Sequence, residues 1–152
     1  MNNCFYHPPE RLRILFLLSS SIFAQDVSKR WGVGVNYPGL GVKYRVNEKS
    51  AVGIKTQFAK DIFVIGPRYY HSFNPKDKAV LLAGGEVDYL TFKGDSSKGS
   101  GWVIEAFVGG EYFIQPNFSI SSDIGPAFIY LKDKDTSLDE SGIDFVLNLG
   151  LT

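Results

Sequence analysis

The 152-residue chain predicts an all-β fold, a single antiparallel up-and-down β-barrel of about eight strands. Three observations predict it. Apolar and polar residues alternate with period two from Trp31 onward, turn residues break the alternation at hairpin spacing, and no segment carries a helical period. Composition agrees, with 16 Gly, 12 Phe and 8 Tyr, and Met1 as the one Met. That is the balance of a β protein rather than of a helical bundle. The length admits one domain. Lys+Arg and Asp+Glu total 16 each, so the net charge is zero and no basic surface points to nucleic acid.

Residues 1–24 read as a secretory signal peptide and residues 25–152 as the barrel domain. Arg11 and Arg13 precede the apolar run Ile14 to Leu18, which continues through three serines to Ile22-Phe23 and the small residue Ala24. The run is shorter than the roughly 18 residues that a spanning helix needs. Cys4 lies ahead of it and would leave with the signal. The remaining chain has no Cys, hence no disulfide and no thiolate chemistry.

The strands follow in order. In Trp31 to Tyr37, Trp31, Val33, Val35 and Tyr37 share one face and Gly32, Gly34 and Asn36 the other. Pro38-Gly39 turns the chain into Leu40 to Val46, where Leu40, Val42, Tyr44 and Val46 oppose Gly41, Lys43 and Arg45. After Asn47 to Ser50, Val52, Ile54, Thr56 and Phe58 oppose Gly53, Lys55 and Gln57. Lys60-Asp61 leads to Phe63, Ile65, Tyr69 and Phe73, with Gly66 and Arg68 behind them. Asn74 to Lys78 precedes a fifth strand, with Leu81, Ala83, Val87 and Tyr89 against Gly84, Glu86 and Asp88. The polar stretch Lys93 to Ser100 is expected to be a loop. A sixth strand sets Trp102, Ile104, Ala106, Val108 and Tyr112 against Glu105, Gly109 and Glu111. Gln115 to Asn117 turns into a seventh, with Phe118, Ile120, Ile124, Phe128 and Tyr130 opposite Ser119, Ser121, Asp123 and Gly125. Lys132 to Ser141 is expected to be a second polar loop. The last strand opposes Ile143, Phe145, Leu147, Leu149 and Leu151 to Asp144, Asn148 and Gly150.

Alternation is common to soluble and membrane barrels, which differ in the face that meets solvent. Two features favour a transmembrane barrel. Aromatics gather at both ends of the apolar face: Trp31, Tyr44, Phe73, Tyr112 and Phe118 at one rim, and Tyr37, Phe58, Phe63, Tyr89, Trp102 and Tyr130 at the other. Such belts suit two membrane interfaces. The polar face carries Lys43, Arg45, Lys55 and Arg68 on early strands and Glu86, Asp88, Glu105, Glu111, Asp123 and Asp144 on later ones. A lumen of about eight strands is filled by side chains, and charges enclosed there need partners. The ten residues are expected to form a luminal charge network.

The phrases Gly41-Val42-Lys43-Tyr44-Arg45-Val46, Gly84-Gly85-Glu86-Val87-Asp88-Tyr89 and Gly109-Gly110-Glu111-Tyr112-Phe113-Ile114-Gln115-Pro116-Asn117 resemble the small outer-membrane β-barrel family, of the OmpA- and OmpX-like kind. The resemblance covers roughly Trp31 to Thr152. It implies termini in the periplasm, loops after Tyr37, Phe58, Phe92 and Leu131 outside, outer-membrane lipids around the wall, and assembly by the barrel-assembly machinery. That family usually ends in an aromatic residue, whereas this sequence reads Leu149-Gly150-Leu151-Thr152; either its assembly signal is atypical or a few residues follow.

No catalytic, cofactor or metal site is expected. His71 is the one His after the signal, placed at the rim opposite to the one where a surface lipid-modifying enzyme would need its base. One His without Cys offers no zinc constellation, and Gly84-Gly85 and Gly109-Gly110 read as close-packed strand positions rather than phosphate cradles. Asp133, Asp135, Asp139 and Glu140, interleaved with Lys132 and Lys134, read as a solvated loop rather than a calcium site. The function expected first is a structural or surface-interaction barrel without enzymatic activity that presents its two longer loops to an unidentified outside partner. A narrow pore for small solutes or ions comes second, and a soluble periplasmic lipocalin-like carrier third.

Overall fold

The computed structural model describes residues 30–37, 39–93, 98–133 and 139–152. The N-terminal signal-like segment with Cys4 and His7, the turn residue Pro38, and Lys134 and Asp135 lie outside the described residues, as do the side chains of Asp133 and Asp139. Eight strands make up the fold: β1 (Arg30–Tyr37), β2 (Gly39–Arg45), β3 (Ser50–Ala59), β4 (Ile62–Ser72), β5 (Ala79–Lys93), β6 (Lys98–Gln115), β7 (Phe118–Asp133) and β8 (Asp139–Leu151). Each pairs antiparallel with the next, and β8 returns to β1, so the sheet closes in sequence order. The expected all-β up-and-down barrel is the fold observed.

The faces fall as the alternation requires. On β5, Val80, Leu82, Glu86, Asp88 and Leu90 are buried inside the ring, whereas Leu81, Val87 and Tyr89 are exposed outside it. The apolar face is therefore the outer one, with Val33, Ile54, Val108 and Leu147 among its well-exposed members. A soluble carrier calls for the reverse, an apolar lining and a polar exterior.

Strand ends differ from the sequence reading at the two stretches expected to be loops. Backbone pairing continues to Lys93 opposite Lys98 and to Lys132 opposite Asp139. Ladder hydrogen bonds form between backbones whatever the side chains, so polar residues extend a hairpin once its register is set. Consequently β5 to β8 are 13 to 18 residues long and β1 to β4 only 7 to 11, and the wall stands higher on one side.

Closing a ring forces strands to tilt and stagger. Among the described residues β8 meets β1 only at Leu151–Val35, Gly150–Asn36 and Leu149–Tyr37. From Asn148 upward it rises past the end of β1 and is paired on its β7 side alone. Two further interruptions coincide with prolines. The β4–β5 ladder skips Gly66 and Pro67, and the β6–β7 ladder skips Gly125 and Pro126, because a proline has no N–H to donate.

The hairpin ends are set by short-range chemistry. The Asn47 side-chain oxygen accepts the N–H groups of Lys49 and Ser50, both at 2.8 Å, which closes the β2–β3 turn. Asp61, between β3 and β4, has φ 65°, in the left-handed region that Asp tolerates and β-branched residues avoid. Asp61→Val is expected to lower stability by about 1–2 kcal/mol, whereas Asp61→Gly holds it or raises it. Urea-unfolding midpoints of the two variants check this.

Candidate functional site in the barrel interior

The inward positions of β2 to β7 bring basic and acidic side chains together at two levels. At the level nearer the start of β1, Glu111 on β6 accepts from Lys43 at 2.9 Å and from Arg45 at 3.1 Å, both on β2. Ser119 on β7 donates to its other oxygen at 2.8 Å. At mid-height, Glu86 on β5 is ion-paired with Lys55 on β3 and with Arg68 on β4, the latter at 3.1 Å. Arg68 also reaches Asp123 on β7 at 2.5 Å. Asn148 on β8 ties the cluster together. Its amide nitrogen donates to Asp123 at 3.0 Å and to Glu105 at 3.3 Å, and its oxygen accepts from Lys55 at 3.2 Å.

Aromatic rings lie between and around the ions. Tyr70 on β4 stands with its ring 4.5 Å from the Lys43 ammonium and 5.2 Å from the Arg68 guanidinium, so it spans the two levels. Phe107 on β6 lies 3.9 Å from the same guanidinium. Each cation is therefore met by carboxylate, ring face or both, as charge removed from water requires. Beside Lys43, Arg45 and Glu111, at the mouth near the start of β1, a cavity of about 240 Å³ remains, whereas mid-height is nearly filled. Beside Lys43, Lys55 and Tyr70 a void of about 20 Å³ remains, room for a water molecule rather than for an organic ligand.

Of the ten residues expected in the network, Lys43, Arg45, Lys55, Arg68, Glu86, Glu105, Glu111 and Asp123 join these two clusters. Asp88 is buried beside Glu86, and its Oδ1 lacks a hydrogen-bond partner among the described residues. A Cβ at Gly66 would come within 2.1 Å of that oxygen, so the glycine makes room for the carboxylate against the β4 backbone. Asp144 stands apart and corrects the expectation. It has the inward parity but is exposed, and its carboxylate accepts from the next residue's N–H at 2.8 Å. The reason is its height, on the part of β8 that has no β1 beside it to close the lumen. Tyr70, Phe107, Ser119 and Asn148 are the contributors that the search for charges missed. Their even or odd position within each strand was the available signal.

His71 lies at the rim with its ring 5.2 Å from that of Phe73. Among the described residues no three His, Cys, Asp or Glu side chains converge as metal ligands would.

Comparison of the chain with protein families, curated proteins and solved structures found no match in any of the three.

Proposed function

We propose that the chain is a transmembrane β-barrel of a bacterial outer membrane, exported by a cleaved signal peptide, with a structural or surface-interaction role and no enzymatic activity. The observation that carries this reading is the outer wall. Apolar side chains cover it around the ring, with aromatic pairs at both ends: Trp31–Tyr44 at 4.8 Å near the start of β1, and Phe58–Phe63 at 5.3 Å and Tyr89–Trp102 at 5.1 Å at the far rim. A soluble monomer rarely exposes an apolar patch beyond a few hundred Å².

The spacing of the two bands supports a bilayer in particular. From Phe63 on β4 to Phe73 just past its end, and on β6 from Trp102 to Tyr112, about ten residues separate them, or about 33 Å along the strand. At a tilt of about 40° that becomes about 25 Å along the barrel axis, the height of the apolar band of outer-membrane barrels. The paired interior fits the same reading, since charges in a narrow lumen need partners and leave no wide path for solutes. Membership of the small OmpA- and OmpX-like family and assembly by the barrel-assembly machinery belong to this proposal. So does the presentation of the tall β5–β8 wall to an outside partner.

The test is refolding from urea of the chain starting at Gln25, with and without detergent micelles. The expected product is β-rich, forms only with detergent, and migrates differently on gels before and after boiling. A folded monomer in plain buffer overturns the reading.

A further inference from the structure

The ring does not close at one level. Followed strand by strand through its register neighbours, Asn36 on β1 leads by way of Gln57, Leu90 and Gly101 to Glu140 on β8. Its own partner across the seam is nevertheless Gly150. One circuit of the wall therefore climbs ten residues along β8, about 25 Å along the axis at a tilt of about 40°. Each step to the next strand climbs about 3 Å. The tip of the β1–β2 hairpin then lies about 9 Å below Phe63, inside the apolar band. Tyr37, expected at the far rim as a strand-end residue, sits at that tip.

Above the tip the wall lacks two strands. Among the described residues β8 continues from Asn148 up to Asp139 with no partner on its β1 side, and the opposite flank is the end of β3 at Ala59. Ile143 is 75 % exposed, against 47 % for its register neighbour Phe128, because no strand flanks it there. Alternate backbone groups of Glu140 to Leu147 point into the gap. On the inner face of β8, a Cβ added to Gly142 would meet no described atom within 4 Å.

Across the ring, β4 to β7 change character just above the charges. Their inward side chains at mid-height are Arg68, Glu86, Glu105 and Asp123, all buried. Higher up they are Val64, Leu90, Val103 and Ile129, with Val64 opposite Leu90 and Val103 opposite Ile129. Val64, Val103 and Ile129 are half-buried although they face the lumen, so space remains in front of them. The upper lumen is thus a chamber with an apolar back wall, a charged floor and a side opening at hydrocarbon depth. From Gln25 to Lys29 the chain spans about 18 Å at most. That is less than the roughly 25 Å of height from Arg30 to Val103, so the start of the exported chain cannot fill the chamber. Backbone left free at membrane depth requires a polar partner, which water or a lipid ester supplies.

We propose that this chamber takes one acyl chain of a surrounding membrane lipid through the gap. The chain lies against Leu90, Val103 and Ile129, with its ester end along the free edge of β8. The site rests on the membrane reading above and adds lipid binding inside the barrel to it. The experiment reconstitutes the chain from Gln25 in phosphatidylcholine vesicles, a fraction of whose lipid carries a diazirine in mid-chain. Light fixes that lipid to its neighbours, and mass spectrometry of peptides reads the positions. The expected result is adducts on inward Leu90, Val103 or Ile129 besides those on outward Ile104 and Phe128. Val103→Trp, which fills the chamber, should lower the Leu90 and Ile129 adducts about tenfold and leave the outward ones unchanged. Adducts confined to outward positions, in a protein that keeps the heat-dependent gel shift, overturn the site and leave the barrel reading intact. Inner adducts undiminished in the folded variant do the same. Equal inner labelling by a water-soluble diazirine overturns it in favour of an aqueous space. A dimer on unboiled gels without inner adducts overturns it in favour of a second copy's strand on the β8 edge. Failure of the parent to form any heat-modifiable species overturns both readings.

Discussion

Glu86→Gln should destabilise the barrel by about 3–5 kcal/mol, because it removes the one full negative charge that Lys55 and Arg68 share at mid-height. Glu86 is 2 % exposed and Lys55 and Arg68 are 3 % and 4 %, so water cannot reach the orphaned cations. Arg68 keeps Asp123, but Lys55 keeps no direct ion pair, only the neutral oxygen of Asn148 at 3.2 Å and the more distant carboxylates of Asp88 and Glu105. Most of the loss therefore falls on Lys55. Adding Lys55→Met to Glu86→Gln should recover part of it, since the double change removes the uncompensated charge rather than creating one. A loss of this size approaches the whole stability of many small domains, about 5–15 kcal/mol. Urea unfolding of the micelle-refolded proteins measures both effects. A Glu86→Gln midpoint equal to the parent's would mean that the interior is hydrated and the ion pairs are incidental.

Val108→Arg probes the opposite face. Val108 is 62 % exposed and lies near the middle of the apolar band, between Trp102 and Tyr112 on β6. In water this replacement at an exposed strand position changes stability by less than about 0.5 kcal/mol. In a bilayer a charge at the midplane costs about 2–4 kcal/mol, falling to about 0–1 near the interfaces. The expected profile is a large loss at Val108 and a small one for Arg at Tyr112, at the rim of the same strand. Unfolding in lipid vesicles reads the difference. A flat profile would show that the outer wall does not sit in hydrocarbon, whatever its composition.

The fold was legible in the sequence because strand alternation is local: one residue's parity determines the face of all the others on its strand. Hence the inward set Lys55, Arg68, Glu86 and Glu111 could be read from spacing alone. Partner choice was not local. Lys43 and Glu111 are 68 residues apart, and they meet because the stagger brings the lower ends of β2 and β6 to one level across the lumen. The same stagger explains Asp144, whose parity was read correctly and whose height was not. Tyr70 and Phe107 escaped notice for a different reason. Aromatic residues were read as marks of the outer face, and these two point inward, where cations supply what an apolar core would otherwise give. The aromatic belts were visible as strand-end residues, but the depth of Tyr37 was not, because the height of a strand end depends on the stagger of the whole ring.

Among the described residues β1 and β8 meet at three pairs, which has a consequence for how the ring comes apart. Every other junction is a ladder many residues long, as from Ala79–Tyr112 to Lys93–Lys98 between β5 and β6. A closed ring with one short junction behaves as a strap with a clasp. Thermal opening is expected to begin at Val35 to Tyr37 and Leu149 to Leu151, which would leave one continuous eight-strand sheet with the first and last strands as its edges. The order in which the ring comes apart would then be set by where the clasp sits rather than by which strand is intrinsically weakest.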